Sequence, residues 1–254
     1  EQNRRPQDNH RNPNTFAILE LKYGNIYGGA PNYFVISDVS LLVFDPEKNH
    51  IFLESLSLNS DVDVVFVNSK VNELGHTIGR HKHVVNLSTR KKKPYLENFE
   101  VEKNDLENAF ANSRPSKKMI NNFFFKNFKK YNINKIITFD GRRDIFLCEK
   151  AGVKFNYIKI EDLQQDLNRE CNYLFSLNKL GVAINFRNDA SFLYSNNLKY
   201  YLHPIAARQI EPKSAAFDAA RLLMVYNEFT QHKENFLLKA ALLLNKIQQN
   251  TVPE

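Results

Sequence analysis

The first half of the chain alternates apolar runs with short turn clusters, a pattern typical of an antiparallel β-meander. A cluster from Asp45 to Asn49 separates two of these runs. Apolar runs of strand length bounded by turn residues predict β-strands, and short connections favour antiparallel pairing. Four runs rich in Val, Ile, Leu and Phe are the predicted strands: 16–21, 33–44, 50–57 and 62–67.

Helical periodicity dominates the second half of the chain. Apolar residues recur at steps of three and four, which predicts amphipathic helices over 116–131, 215–229 and 233–249. Two short strands are predicted at 135–139 and 156–160, with helices that begin near Arg143 and near residue 162. We interpret 69–104 as loop with short elements and 187–212 as irregular. The pattern predicts an α/β fold whose mixed sheet combines an antiparallel meander with parallel strands, flanked by helices.

Length and composition are typical of one soluble α/β domain. The 254-residue chain begins with a polar, proline-containing stretch, so we expect a disordered tail over 1–14 and one domain over 15–250. Two cysteines, Cys148 and Cys171, make no disulfide framework, which favours a reduced, cytoplasmic setting. No apolar run approaches the roughly 18 residues of a membrane-spanning helix, so no membrane span is expected.

The charge balance favours polyanionic partners. The formal net charge is +7, although the richness in Lys and Asn is also what codon bias in an AT-rich genome produces. Basic residues alternate with aromatic ones, a combination suited to phosphates and unstacked bases of single strands. The candidate nucleic-acid-binding residues are Lys91, Lys92, Arg142 and Arg143.

Three acidic residues fall at positions that the pattern assigns to inward-facing surfaces. Glu20 interrupts the first apolar strand, Asp144 follows the break after the 135–139 strand, and Asp218 shares a helical stripe with Ala215 and Leu222. A single inward carboxylate is usually a satisfied structural group, but three at one sheet edge suggest a site. Convergent carboxylates bind divalent metal ions for phosphoryl transfer, and Mg²⁺ prefers oxygen ligands.

The segments around the first two acids resemble motifs of DEDDh 3′–5′ exonucleases, the ribonuclease T and DNA polymerase III proofreading-subunit type. In that family the first strand carries Asp-x-Glu, and this chain has Glu20 and Lys22 at those positions. The second family motif is a strand, a short turn and an Asp that opens a helix. Residues 136–147 are similar to it, with Asp144 in the Asp position.

The third family motif is His-x-Ala-x-x-Asp-Ala, and the segment that begins at Lys213 is similar to it. Ala215, Asp218 and Ala219 match, whereas Lys213 takes the place of the His. The resemblance spans residues 15–230 and implies a ribonuclease H-like fold. It also implies Glu20, Asp144 and Asp218 as ligands of Mg²⁺ or Mn²⁺ if the protein is active.

The departures from the family pattern predict a degenerate catalytic set of Glu20, Lys22, Asp144, Lys213 and Asp218. An ammonium at Lys22 would repel a metal cation by roughly 4 kcal/mol at about 4 Å and an effective dielectric near 20. Lys213 is a poor general base at neutral pH compared with His. The two lysines could instead pair with Asp144 and Asp218, which would replace the metal with internal ion pairs.

The sequence leaves three functions open. The first is a catalytically impaired exonuclease-like domain, a pseudoenzyme that binds single-stranded DNA or RNA ends and holds no metal. The second is an active 3′–5′ exonuclease that uses Mg²⁺ or Mn²⁺, with Glu20 in place of Asp. The third is a protein-interaction or assembly subunit that reuses the fold, since a fold does not fix a function. The resemblance also implies a homodimer or a larger protein complex.

Overall fold

The computed structural model describes residues 14–25, 34–58, 62–67, 81–86 and 103–249. Strands dominate the first part of the chain, and helices alternate with short strands in the second. The strands are β1 (Phe16–Asn25), β2 (Phe34–Asp45), β3 (His50–Ser57), β4 (Val62–Val67), β5 (His81–Asn86), β6 (Lys135–Thr138), β7 (Lys159–Asp162), β8 (Arg187–Asn188), β9 (Phe192–Tyr194) and β10 (Lys199–Tyr201). The helices are α1 (Lys103–Tyr131), α2 (Arg142–Lys150), α3 (Leu163–Cys171), α4 (Leu177–Ala183), α5 (Pro204–Gln209), α6 (Ala215–Gln231) and α7 (Lys233–Gln249).

Within the described residues, the first seven strands form one mixed sheet. β1, β2 and β3 pair in antiparallel order, which confirms the predicted meander. β6 runs parallel to β1, with Ala17 opposite Ile136, and β7 runs parallel to β6. β5 pairs in parallel with the last residue of β1, and β4 pairs with β5 in antiparallel order. The predicted α/β class with a mixed sheet flanked by helices is therefore confirmed.

Strand alternation sends consecutive residues of β1 into two different cores. Ala17, Leu19 and Leu21 join a cluster with buried residues of α1 and α2. Phe16 and Ile18 join a second cluster with α3 to α7, in which α6 lies against β1 and β2. Glu20 and Lys22 share the α6 side of the strand by the same alternation. This placement directs both side chains toward the first turn of α6.

The region 187–212 is more regular than the sequence predicts, and its interpretation as irregular is wrong. It contains a small antiparallel sheet of β8, β9 and β10, followed by α5. Strands of two or three residues are too short to show a period, and their pairing partners lie only a few residues away. Helix α4 was also not predicted. Leu180 and Gly181 are its buried residues, too few to reveal a helical stripe.

Other boundaries differ by a few residues. β1 continues to Asn25, α1 begins at Lys103 rather than 116, and β7 covers Lys159–Asp162 rather than 156–160. Residues 1–13 of the predicted tail, Lys91 and Lys92 lie outside the described residues. No helix in the described part of the chain is long and apolar enough to cross a membrane.

Candidate functional site

The candidate site lies at the carboxyl end of β6, where the neighbouring parallel strand β1 continues past it. Because β6 pairs only with the start of β1, Glu20 and Lys22 extend beyond the paired region toward the turn that leads into α2. Asp144 lies in the first turn of α2, and Asp218 lies in the first turn of α6. Carboxyl ends of neighbouring parallel strands are where α/β proteins commonly bind ligands.

Glu20 is held in surroundings that disfavour its charge. Its Oε1 is inaccessible to solvent and has no hydrogen-bond partner among the residues that the structure describes. Burial raises the pKa of Glu20 well above its ordinary value, and the carboxylates of Asp144 and Asp218 raise it further, against smaller lowering effects of Lys22 and Arg221. The protonated form of Glu20 is therefore favoured, and the two aspartates are its close neighbours.

Lys22 forms an ion pair with Asp218 inside this group of acids. Its ammonium donates to Asp218 Oδ2, and both side chains are roughly one-fifth exposed. The register of β1 against β2 shifts directly after Lys22, a β-bulge that changes the direction of the strand. The pair joins the central strand of the sheet to α6 and places a positive charge between the candidate metal ligands.

Arg221 is a second cation at the site, and sequence reasoning missed it. Its Nη1 lies 3.5 Å from Asp218 Oδ1, one helical turn away, and its guanidinium lies 4.8 Å from the centre of the Phe217 ring. A Cβ at Gly181 would come within 2.8 Å of the Arg221 side chain, so this glycine makes room for it. Lys22 and Arg221 are the two cations that lower the pKa of Glu20, against the raising effects of Asp144 and Asp218.

The turn between β6 and α2 positions Asp144. Asp162, at the end of the neighbouring strand, accepts hydrogen bonds from the N–H groups of Asp140 at 3.1 Å and Gly141 at 2.9 Å. The turn needs glycine at 141, because a Cβ there would lie 2.3 Å from the side chain of Thr138. Asp162 also caps α3 through the N–H of Gln164 at 3.0 Å, so one carboxylate fixes both helix starts.

The first turn of α6 is tied to the sheet through Asp38, which the sequence did not single out. Asp38 lies opposite Lys22 on β2, and its Oδ2 accepts a hydrogen bond of 3.0 Å from the N–H of Ala215. Ser214 caps the helix by accepting from the N–H of Phe217 at 3.0 Å. These contacts hold Asp218 facing Lys22, because they fix the start of the helix that carries it.

Arg142 and Arg143 are exposed in the first turn of α2. Burial and the charge of Asp144 raise the pKa of Tyr23, and a hydrogen bond with Arg143 lowers it, so Tyr23 and Arg143 lie beside Asp144. Lys213 does not join the group. It is exposed before α6 with a φ of 71°, and it forms no ion pair with any described residue. Of the predicted set, the structure therefore brings together Glu20, Lys22, Asp144 and Asp218.

The donor groups of this site do not fit a resident divalent metal ion. The described residues include no group of three or more His, Cys, Asp or Glu side chains that could hold one. Lys22 binds one oxygen of Asp218, so an ammonium already occupies the position that a metal ion would need beside that carboxylate. The site is instead an internally compensated cluster of acids and cations.

A comparison of the chain with protein-family models and with curated proteins found no match.

Proposed function

We propose that this protein is a ribonuclease H-like domain of the DEDDh 3′–5′ exonuclease type, catalytically impaired, that binds single-stranded nucleic acid ends. The arrangement of strands supports the proposal. A three-strand antiparallel meander is extended by parallel β6 and β7, and the acids of the three motifs lie at one edge of this sheet. Exposed Arg142 and Arg143 next to Asp144 offer contacts for a phosphate backbone.

The ion pair between Lys22 and Asp218 is the observation that carries the proposal. In a two-metal mechanism the carboxylates must be ionised and must face a cation. Here the Lys22 ammonium is the cation that faces Asp218. Unlike a metal ion, an ammonium has no coordination position at which water or substrate can bind. The fold keeps its acids paired, whereas the chemistry that such acids support is lost.

The decisive experiment compares the wild-type chain with a repaired triple variant, Glu20→Asp with Lys22→Glu and Lys213→His. Both proteins are incubated with 5′-labelled single-stranded DNA and RNA in Mg²⁺ or Mn²⁺, and their melting temperatures are measured with and without Mn²⁺. We expect no trimming and no Mn²⁺-dependent melting shift for the wild type. The repaired variant should gain a Mn²⁺-dependent shift, because four carboxylates, at positions 20, 22, 144 and 218, then face the ion without an ammonium among them.

Asp144→Ala in the repaired background is the matched control, and it should remove the shift. Lys213→His alone should leave the wild-type behaviour unchanged, since Lys213 lies outside the cluster. Metal-dependent trimming by the wild-type protein that Asp144→Ala abolishes would contradict the proposal and identify an active exonuclease. A wild-type protein that neither trims nor binds oligonucleotides would favour the assembly-subunit function instead.

A further inference from the structure

The outward face of the small sheet β8–β10 carries a group of aromatic and cationic side chains. Tyr194 lies opposite both Lys199 and Arg187, and Phe192 lies opposite Tyr201. Residues directly opposite one another on neighbouring strands project to the same side, as do alternate residues of one strand. All five side chains therefore share one face, which we call the aromatic face: Arg187, Phe192, Tyr194, Lys199 and Tyr201.

The inner side of the same sheet is part of the core, so the direction of the aromatic face is unambiguous. Leu193 is 0% exposed and Tyr200 4% exposed, whereas neighbouring Tyr201 is 55% exposed. The Tyr200 hydroxyl accepts hydrogen bonds from Asn227 at 3.1 Å and Gln231 at 3.3 Å on α6. The sheet is thus anchored by one set of aromatic and aliphatic residues and presents a second set to solvent.

The rings and cations of the aromatic face form a continuous surface. The Phe192 ring centre lies 5.8 Å from that of Tyr194 and 5.7 Å from that of Tyr201. The Lys199 ammonium lies 4.2 Å from the centre of the Phe192 ring and 5.3 Å from that of Tyr194, and the Arg187 guanidinium lies 5.3 Å from the Tyr194 ring. Such exposed cation–π pairs contribute only about 0.5–1 kcal/mol each, so a ligand can displace them.

We propose that the aromatic face is a stacking surface for single-stranded nucleic acid. The inference rests on the proposed nucleic-acid-binding function and names a surface that performs it. Bases stack on Phe192, Tyr194 and Tyr201, and phosphates pair with the cations beside the rings. Aromatic side chains among basic ones are the combination that binds single strands without sequence preference.

The two positive charges of the aromatic face favour a single-stranded nucleic acid over an apolar protein segment as its ligand. Lys199 lies over the Phe192 and Tyr194 rings rather than at a rim, and the core of a protein interface is depleted in Lys. Arg187 adds a second positive charge that phosphates can neutralise. Asp189, in the turn from β8 to β9, is already engaged by the N–H groups of Ser191 at 2.8 Å and Phe192 at 2.7 Å. These hydrogen bonds, that from Ser191 first, lower the pKa of Asp189, and a hydrogen bond from Tyr194 and the charge of Lys199 also lower it, so this carboxylate lies at the edge of the aromatic face with its hydrogen bonds largely formed.

The test measures binding of fluorescent 12-mer DNA and RNA by anisotropy over a range of salt concentrations. The face variant combines Arg187→Gln, Lys199→Gln and Tyr201→Ser. The matched control combines Lys154→Gln, Lys246→Gln and Tyr157→Ser, which removes the same number of positive charges and one tyrosine from exposed positions elsewhere. We expect the face variant to lose affinity by about tenfold or more, with a shallower salt dependence, and the control to stay within about twofold.

Photocrosslinking of the wild-type protein to an oligonucleotide that contains 5-iodouracil provides a second measurement that needs no variant to fold. Trypsin cleaves after Arg187, Lys199 and Arg208, so the rings fall in peptides 188–199 and 200–208. Crosslinks in these peptides support the inference. Wild-type binding that the face variant retains, or crosslinks confined to other peptides, overturns the inference alone. Absence of any oligonucleotide binding by the wild type overturns both the inference and the proposed function.

Discussion

Two glutamates, Glu20 and Glu228, each bury a carboxyl oxygen but have opposite surroundings. Glu228 on α6 is 1% exposed, and its carboxylate accepts hydrogen bonds from the Ser195 hydroxyl at 2.6 Å and from the N–H and side-chain amide of Asn197, each at 2.8 Å. Glu20 has a buried Oε1 with no hydrogen-bond partner in the described part of the chain, and two aspartates lie close by. The same residue type is thus fully hydrogen-bonded at one place and poorly accommodated at the other.

Glu228 therefore stabilises the fold through its hydrogen bonds, whereas the surroundings of Glu20 disfavour its charged form. Glu228 ties the loop before β10 to α6, and its position would be hard to vary without loss of stability. Glu20 contributes no such connection, and its burial beside like charges costs stability. Local costs of this kind concentrate at functional sites, and a degenerate site can retain them after its chemistry is lost.

The largest expected effect comes from Glu228→Gln. The new amide nitrogen would face the donors of Asn197, so the variant should lose about 2–3 kcal/mol of unfolding free energy. Urea denaturation at pH 7.5 measures the loss, with Glu234→Gln on the exposed start of α7 as the control. A loss no larger than that of the control would show that the hydrogen bonds of Glu228 contribute nothing.

Asp162→Ala should give the next largest effect, because Asp162 resembles Glu228 in being saturated with hydrogen bonds. Its removal leaves the N–H groups of Asp140, Gly141 and Gln164 without their acceptor, and we expect a loss of about 2 kcal/mol. Asp166→Ala, which removes an exposed pair with Arg169 instead, should cost under about 0.5 kcal/mol. Equal losses for the two variants would contradict the role of Asp162 in fixing the turn before Asp144.

The contrast between these acids also shows what the sequence can predict. Strand alternation placed Glu20 and Lys22 on one face, and helical spacing placed Asp218 on an inner stripe, because both depend only on near neighbours in the chain. Glu228 gave no signal, since its partners Ser195 and Asn197 belong to a loop of a small sheet that the sequence did not predict.

Arg221 was missed for a related reason. An arginine three residues after an aspartate on a helix usually forms a solvent-exposed pair. It becomes part of the site only because Gly181 on α4 leaves space for it, a contact between helices distant in sequence. Asp38 likewise acquires its role from the N–H of Ala215, 177 residues away. Local patterns therefore predict which acids point inward, whereas long-range packing decides what compensates them.

Glu20→Gln should act in the opposite direction to Glu228→Gln, although the chemical change is the same. The pKa of Glu20 is raised in the folded protein, so the folded state binds more protons than the unfolded state at pH values from the ordinary glutamate range upward. Wild-type stability is therefore lost as pH rises through this window. The variant, which cannot ionise, should be more stable than wild type at pH 8 and nearly equal to it at pH 4. Urea denaturation across this range measures the difference, and a variant less stable than wild type at pH 8 would contradict it.

Two serines, one beside each glutamate, allow the two sites to be compared by removing a single hydroxyl, and the expected effects are the smallest. Ser195 donates to Glu228, whereas Ser40 lies opposite Glu20 in the β1–β2 register and its buried Oγ has no hydrogen-bond partner among the described residues. Removal of a hydroxyl that bonds a buried carboxylate should cost about 1–2 kcal/mol in Ser195→Ala. Ser40→Ala should change the unfolding free energy by less than about 0.5 kcal/mol, because no hydrogen bond is lost and a desolvated polar group is removed. A cost for Ser40→Ala as large as that for Ser195→Ala would show that the Ser40 hydroxyl stabilises the fold, and it would contradict the contrast between the surroundings of Glu20 and Glu228.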